Sequence, residues 1–207
     1  TIRKAVVGDY ENSFFPTQPV MPYIQIIHDR GCVEIMRGCP NACKFCQARR
    51  YYGPWRKRSP DRVRALALDL IRQTGYEELS LLSLSSGDYP AIESLLDELG
   101  KSLEGTHTAL ALPSIRVERL IRMLPFYLSL SKKSGLTFAP EAGSERLRSV
   151  IGKNITMDYL YQAVEEAYRH GYRHVKLYFM IGLPTETNED LDEIARIIED
   201  VARLRTK

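Results

Sequence analysis

Cys39, Cys43 and Cys46 stand at C-x3-C-x2-C inside "RGCPNACKFCQARRYYGPWRKR", residues 37 to 58, and make up three of the chain's four cysteines. A disulfide uses two thiols, and a structural zinc usually takes four ligands. Three thiolates on one short loop suit three corners of a cubane 4Fe–4S cluster, whose fourth iron stays open to a substrate or cofactor. Gly38, Pro40 and Asn41 let the backbone turn tightly enough for the sulfurs to converge. The competing reading is a zinc knuckle, which needs further ligands. Only His28 and Cys32 are near enough in sequence, and Cys32 is expected on an apolar strand as a small core residue.

A basic run follows at once. Residues 49 to 64 carry Arg49, Arg50, Arg56, Lys57, Arg58, Arg62 and Arg64 against Asp61, a local net of +6 in a chain whose total is +3. Tyr51, Tyr52 and Trp55 interleave with these cations, a composition suited to stacking and backbone contact on single-stranded RNA. The alternative function is therefore a metal-stapled nucleic-acid-binding module built on loop 49–64. A solvated face whose arginines pair with acidic helices is the plainer reading of the same charges.

The elements that must position these residues repeat as strand then helix. The strands are "CVEIM" after Gly31, "LSLLSLS" (79–85), "TALAL" (108–112), "GLTFAP" and "HVKLYFMI" (174–181). Between them run helices with apolar faces: Val63, Ala67, Leu70 and Ile71 after Ser59-Pro60; Ile92, Leu95, Leu96 and Leu99; Val117, Leu120, Ile121 and Leu124; then two starting near Ser144 and Thr156. A last helix is expected to be capped by Asn188 with Glu189 and Asp190. Five β–α units with near-continuous apolar strands predict an α/β fold with parallel strands. Residues 1 to 31 are broken by Pro16, Pro19 and Pro22 and read as a leader or inter-domain linker, with one short strand near "YIQII"; residues 32 to 207 form the core.

In such sheets the functional groups gather at the carboxyl ends of the strands. Those ends carry the cysteines, "SSGD" (85–88), "PSIR" (113–116), "PEAGS" (140–144) and "GLPTET" (182–187). On the last strand, alternation puts Lys176, Tyr178 and Met180 on one face, and Val175, Leu177, Phe179 and Ile181 on a face suited to packing on helices. No apolar run is long enough to span a bilayer and no signal-peptide core opens the chain, so the expectation is a cytoplasmic protein with thiols rather than disulfides and no membrane partner.

With Phe45 before the third cysteine, Cys39, Cys43 and Cys46 resemble the C-x3-C-x-Φ-C motif of the radical SAM superfamily, Φ being aromatic. The resemblance covers residues 32 to about 204 and implies a 4Fe–4S cluster, S-adenosylmethionine (SAM) and a low-potential electron donor of flavodoxin or ferredoxin type. It also implies the reaction. SAM is cleaved reductively to methionine and a 5′-deoxyadenosyl radical.

Position by position, Ser86-Gly87-Asp88 falls where the family usually has Gly-Gly-Glu against the methionyl amine, with Asp88 shorter in reach than Glu. Arg116 falls where related enzymes place a polar group towards SAM. Glu141 and Lys153, in "PEAGSERLRSVIGKN", resemble the stretch that meets the SAM ribose, amine and carboxylate in methylthiotransferase and cobalamin-dependent branches. "MIGLPTETNED" resembles "GLPGETEED" of those branches, where backbone at the positions of Met180 and Ile181 cradles adenine. The family's partial (β/α) barrel usually has six strands against the five read here. With Thr1 in place of an initiator Met, a piece truncated at its C-terminal end is expected. Cobalamin is left to the full-length parent chain, and RNA is a candidate substrate.

Overall fold

The computed structural model describes residues 4–24, 26–111 and 135–205. They fall into two compact units, one from residues up to Cys39 and from Arg50 to 111, the other from Pro40–Arg49 and 135–205. Arg116, the 113–116 loop and the helix expected over Val117 to Leu124 lie outside the described residues.

In the first unit, β1 (Gly31–Glu34), β4 (Glu78–Leu82) and β5 (Ala109–Ala111) form a parallel sheet in the order β1-β4-β5, with Cys32 opposite Ser80 and Leu79 opposite Leu110. Helices α2 (Pro60–Thr74) and α3 (Ile92–Ser102) bury Val63, Leu66, Ala67 and Leu70, and Ile92, Leu95, Leu96 and Leu99. Leu66 takes the place expected for Ile71. Each of these Val, Leu and Ile side chains contributes about 1.5–3 kcal/mol by leaving water. The limits of α2 follow from its ends: the Ser59 hydroxyl accepts from the Arg62 N–H, and Gly75 adopts the left-handed conformation (φ 70°) that stops the helix.

"CVEIM" is not one strand. β1 ends at Glu34, and β2 (Met36–Arg37) pairs antiparallel with β3 (Arg56–Lys57). Ile35 makes the handover, donating to the Leu82 carbonyl at 3.1 Å and accepting from the Arg58 N–H at 2.9 Å. The cysteine loop and the short helix α1 (Ala48–Tyr52) lie between the two strands of this ladder. Among the described residues of "YIQII" none is in a strand, and Tyr23 and Ile24 are exposed.

In the second unit, β6 (Leu136–Glu141) pairs parallel with β7 (Val175–Phe179), Leu136 opposite Val175. Helices α4 (Glu145–Val150), α5 (Met157–Arg169) and α6 (Asn188–Leu204) complete it. Val175, Leu177 and Phe179 share a groove of about 570 Å3 with Ile198, Val201 and Ala202 of α6, while Lys176 and Tyr178 are exposed. The alternation holds to Phe179 and then stops with the strand. Met180 turns onto Ala142, Leu147 and Ile151, and Ile181 is exposed. The cap of α6 is Thr187 rather than Asn188, with Asp190 closing a capping box. No helix among the described residues is long and apolar enough to cross a membrane.

Candidate active site

Gly38 opens the cysteine loop at φ 85°, and a Cβ there would come within 2.9 Å of the Trp55 backbone, so only glycine fits. Trp55 in turn donates its indole N–H to the Met36 sulfur at 3.2 Å. Cys39 belongs to the first unit, while Cys43 and Cys46 share a turn in the second, the Cys46 N–H donating to the Cys43 carbonyl at 3.2 Å. Cys46 and Phe45 are exposed, and Cys39 and Cys43 partly so. All four cysteines are thiols, and no three His, Cys, Asp or Glu side chains among the described residues already stand together as an ion site. Three thiol donors on one glycine-hinged loop fit a cluster that takes three protein ligands. The zinc candidates do not join them. His28 Nδ1 lies 3.1 Å from the Arg30 guanidinium, and Cys32 is exposed on β1 rather than a core residue, because alternation along the strand buries Gly31 and Val33 and turns Cys32 to the other face.

The loop is bonded to the turn that carries Lys153. The Lys44 N–H donates to the Ile151 carbonyl at 2.8 Å, and Gly152 (φ 70°) lets the backbones meet, since a Cβ there would lie 3.1 Å from the Ala42 carbonyl oxygen. Beyond it Lys153 Nζ is 2.8 Å from Glu141 Oε1, both side chains largely buried. Glu141 ends β6 at a left-handed φ of 71°, and its carbonyl accepts from the Met180 N–H at 2.8 Å. Buried Arg148 ties this corner together, donating to the Ile155 carbonyl at 2.8 Å and the Ala142 carbonyl at 3.3 Å; burial pulls its pKa below the usual guanidinium range. Glu141, Lys153 and Met180, far apart in sequence, thus meet beside the loop of Cys43 and Cys46.

A second latch fixes the loops after β6 and β7. Asp190, 3% exposed, accepts from the Ser144 hydroxyl, the Arg146 guanidinium and the Thr187 N–H. The Ser144 hydrogen bond is the largest of the effects that hold its carboxyl down to about 2. Gly182 (φ 79°) is pinned by its N–H to Glu186 Oε2 at 2.6 Å. Sequence reading took Asp190 only as a cap; the Ser144 and Arg146 side of the latch had no sequence signal.

In the first unit, Ser86–Asp88 forms a turn of 3-10 helix. Ser86 is buried with its hydroxyl on the Leu81 carbonyl at 3.1 Å, Gly87 is buried, and Asp88 accepts from the Ser85 hydroxyl at 2.8 Å. Next to it Tyr89, also buried, donates to the Arg58 carbonyl at 2.8 Å. The turn is therefore held rigidly at the carboxyl end of β4.

The basic run divides. Arg58 is 2% exposed, and Arg64 pairs with Asp61 and Glu98 at 3.6 Å each. Arg56 donates to the Val7 carbonyl at 3.0 Å. Arg49, Arg50, Tyr51, Tyr52, Trp55 and Lys57 are exposed. The partners of the inward arginines are Tyr10, Glu11 and Ser13, from the stretch read as leader or linker. Their one sequence signal, an aromatic and an acid among prolines, is too common to single out.

Comparison with known proteins points to one family. A model of the radical SAM superfamily matches residues 33–198. An uncharacterised protein of Methanocaldococcus jannaschii is 38% identical over 174 residues, which is 83% of this chain and 37% of that protein. A tRNA-2-methylthio-N(6)-dimethylallyladenosine synthase of Bordetella petrii is 30% identical over 181 residues, 82% of this chain and 37% of its own length. Among solved structures, the radical S-adenosylmethionine methyltransferase TsrM of Kitasatospora setae, with cobalamin and a 4Fe–4S cluster bound, superposes with a TM-score of 0.65 at 17% identity. That superposition covers 83% of this chain and 34% of TsrM, and speaks for the fold. The chain thus spans a little over a third of the length of the relatives it matches. The family match runs from β1 into α6, through the cysteine loop and the loops after β4, β6 and β7: the chain belongs to the radical SAM superfamily.

Proposed function

We propose that this chain is the core of a radical SAM enzyme, and that its parallel strands are five of the six of a partial (β/α) barrel. Cys39, Cys43 and Cys46 hold three irons of a 4Fe–4S cluster. When bound, that cluster would supply the electron, drawn from a flavodoxin- or ferredoxin-type donor, for reductive cleavage of the bond from the SAM sulfur to the 5′-carbon, giving methionine and a 5′-deoxyadenosyl radical. The chain's own residues bind, orient and exclude water. Lys153 and Glu141 take the carboxylate and the amine or ribose of SAM; the family resemblance alone proposes Asp88 for the amine, and Phe45, Ser86, Gly87 and Arg116 as further SAM contacts. Backbone at Met180 and Ile181 receives adenine. The observation that carries this reading is the Lys44–Ile151 hydrogen bond, which joins the cysteine loop to the turn of the Lys153–Glu141 pair.

Analysis of the anaerobically reconstituted protein is the test, with about four irons and four sulfides per chain expected. Cys39→Ala, Cys43→Ala and Cys46→Ala should each abolish the cluster while Cys32→Ala leaves it intact. Stoichiometric zinc without sulfide would contradict the reading.

For the substrate, exposed Arg50, Tyr51, Tyr52, Trp55 and Lys57 favour an RNA strand, by stacking and phosphate contact. A relative named for a tRNA product agrees with this. Buried Arg58 and carbonyl-bound Arg56 contribute to the fold instead, so the basic loop is too small to carry a stand-alone binding module. RNA binding should weaken steeply with salt, and replacing Arg50 and Lys57 together should lower that slope by about two; salt-independent binding would exclude RNA. Cobalamin is proposed for the parent chain alone.

A further inference from the structure

Arg37 and Arg56 are the register pair of the β2–β3 ladder nearest the cysteine loop. Two like charges therefore stand directly opposite each other at the mouth of that loop, an arrangement that destabilises a strand pair. The ladder has only one other pair, Met36 with Lys57, and so short a two-stranded ribbon is marginal on its own. Yet it joins the two ends of the segment that carries Cys39, Cys43 and Cys46.

Two things offset the repulsion, an aromatic ring from the N-terminal segment and a carboxylate from β1. The ring of Tyr10, 4% exposed, has its centroid 5.6 Å from the Arg37 guanidinium carbon, 5.7 Å from that of Arg56 and 4.7 Å from that of Arg58. An aromatic face attracts cations, most strongly where water is excluded. Glu34 adds a carboxylate to Arg37 at 2.5 Å. The segment itself is tied down on both sides of Tyr10. Arg56 donates to the Val7 carbonyl at 3.0 Å and Arg58 to the Glu11 carbonyl at 2.8 Å. The Glu11 carboxylate accepts from the Ser59 N–H at 2.7 Å, and the Lys4 ammonium reaches the Tyr51 and Gly53 carbonyls inside the loop.

We infer that Tyr10 is a positioning residue for the cysteine loop: its ring, held in place by residues 7–13, shields the Arg37–Arg56 pair and keeps the base of the loop closed. The inference rests on the cluster reading above. Tyr10 acts through the guanidiniums that its ring faces.

The test compares wild type with Tyr10→Leu, Tyr10→Phe, Arg56→Gln and the Tyr10→Leu/Arg56→Gln double variant. All are reconstituted anaerobically, and loss of the cluster absorbance to EDTA is timed. Tyr10→Leu fills the space without an aromatic face and should lose its cluster about tenfold faster, the scale of a desolvated cation–π contact. Tyr10→Phe keeps the face, gives up only the long 3.4 Å hydrogen bond from the Tyr10 hydroxyl to the Glu34 carbonyl, and should stay close to wild type. Arg56→Gln removes one of the two like charges, so adding Tyr10→Leu to it should cost little, a coupling that a merely space-filling role would not show. The inference is overturned if Tyr10→Leu holds its cluster as long as wild type, if Tyr10→Phe is impaired equally, or if the double variant fares no better than Tyr10→Leu. Should Tyr10→Leu fail to fold, the double variant decides alone: folded and loaded supports the inference, unfolded or unloaded ends it. A wild type that loads no cluster would instead end the proposed function.

Discussion

Glu141 and Lys153 make a pair with two consequences that can be separated. Their side chains are only 16% and 12% exposed, and Glu141 holds a left-handed φ of 71° that costs an L residue about 1–2 kcal/mol. Strain of this kind persists where the surroundings over-determine a residue, most often at functional sites. Lys153→Ala should weaken SAM binding about ten- to a hundredfold, the worth of one charge-assisted hydrogen bond. It should also lower the thermal midpoint of the SAM-free protein, because it strands a largely buried carboxylate. Adding Glu141→Gln removes that stranded charge, so the double variant should recover the midpoint and not the affinity. Calorimetric titration with SAM and thermal melts read the two effects apart. If Lys153→Ala binds SAM like wild type, the pair is structural only.

At the scale of elements, the loops after β6 and β7 are set by the latch on Asp190. Its folded pKa, about 2, lies below the unfolded carboxylate range, so the stability it contributes is complete above about pH 4 and lost as pH falls towards 2. Asp190→Asn should cost about 1–2 kcal/mol at neutral pH and flatten the acid limb of the melting curve between those values. An unchanged limb would place the acid sensitivity elsewhere. Gly143→Ala probes the same junction by volume. The added Cβ would lie 2.3 Å from the Asp190 carbonyl oxygen and 2.7 Å from the Ile194 nitrogen, so α6 must move, at a cost of about 1–3 kcal/mol seen in denaturant melts. Helix ends of this kind were partly legible in the sequence. Ser59, Pro60 and Gly75 mark α2 because their chemistry is local, whereas the cap of α6 is expected at Asn188, one residue after the Thr187 that the structure shows.

Across the whole chain, legibility follows the range of the interaction. Period and apolar runs revealed the parallel strands β1, β4, β5, β6 and β7, and spacing singled out Cys39, Cys43 and Cys46 as the proposed ligands, since each signal is written within a few residues. The split at Ile35, the two-residue ladder and the inward turn of Arg56 and Arg58 were not legible. Inward Arg58 and its neighbour Ser59 find Tyr10 and Glu11 as partners, more than forty residues upstream. Charge alone could not tell those arginines from exposed Arg50 and Lys57. The central claim is that the cysteine loop and the Lys153–Glu141 corner together cleave SAM. Its most direct test is one anaerobic assay: the cluster-loaded chain is reduced with dithionite, given SAM and analysed for 5′-deoxyadenosine, with Cys46→Ala alongside. The expected result is 5′-deoxyadenosine and methionine in equal amounts from wild type and neither from Cys46→Ala; a fully loaded, reduced wild type that leaves SAM intact would contradict it.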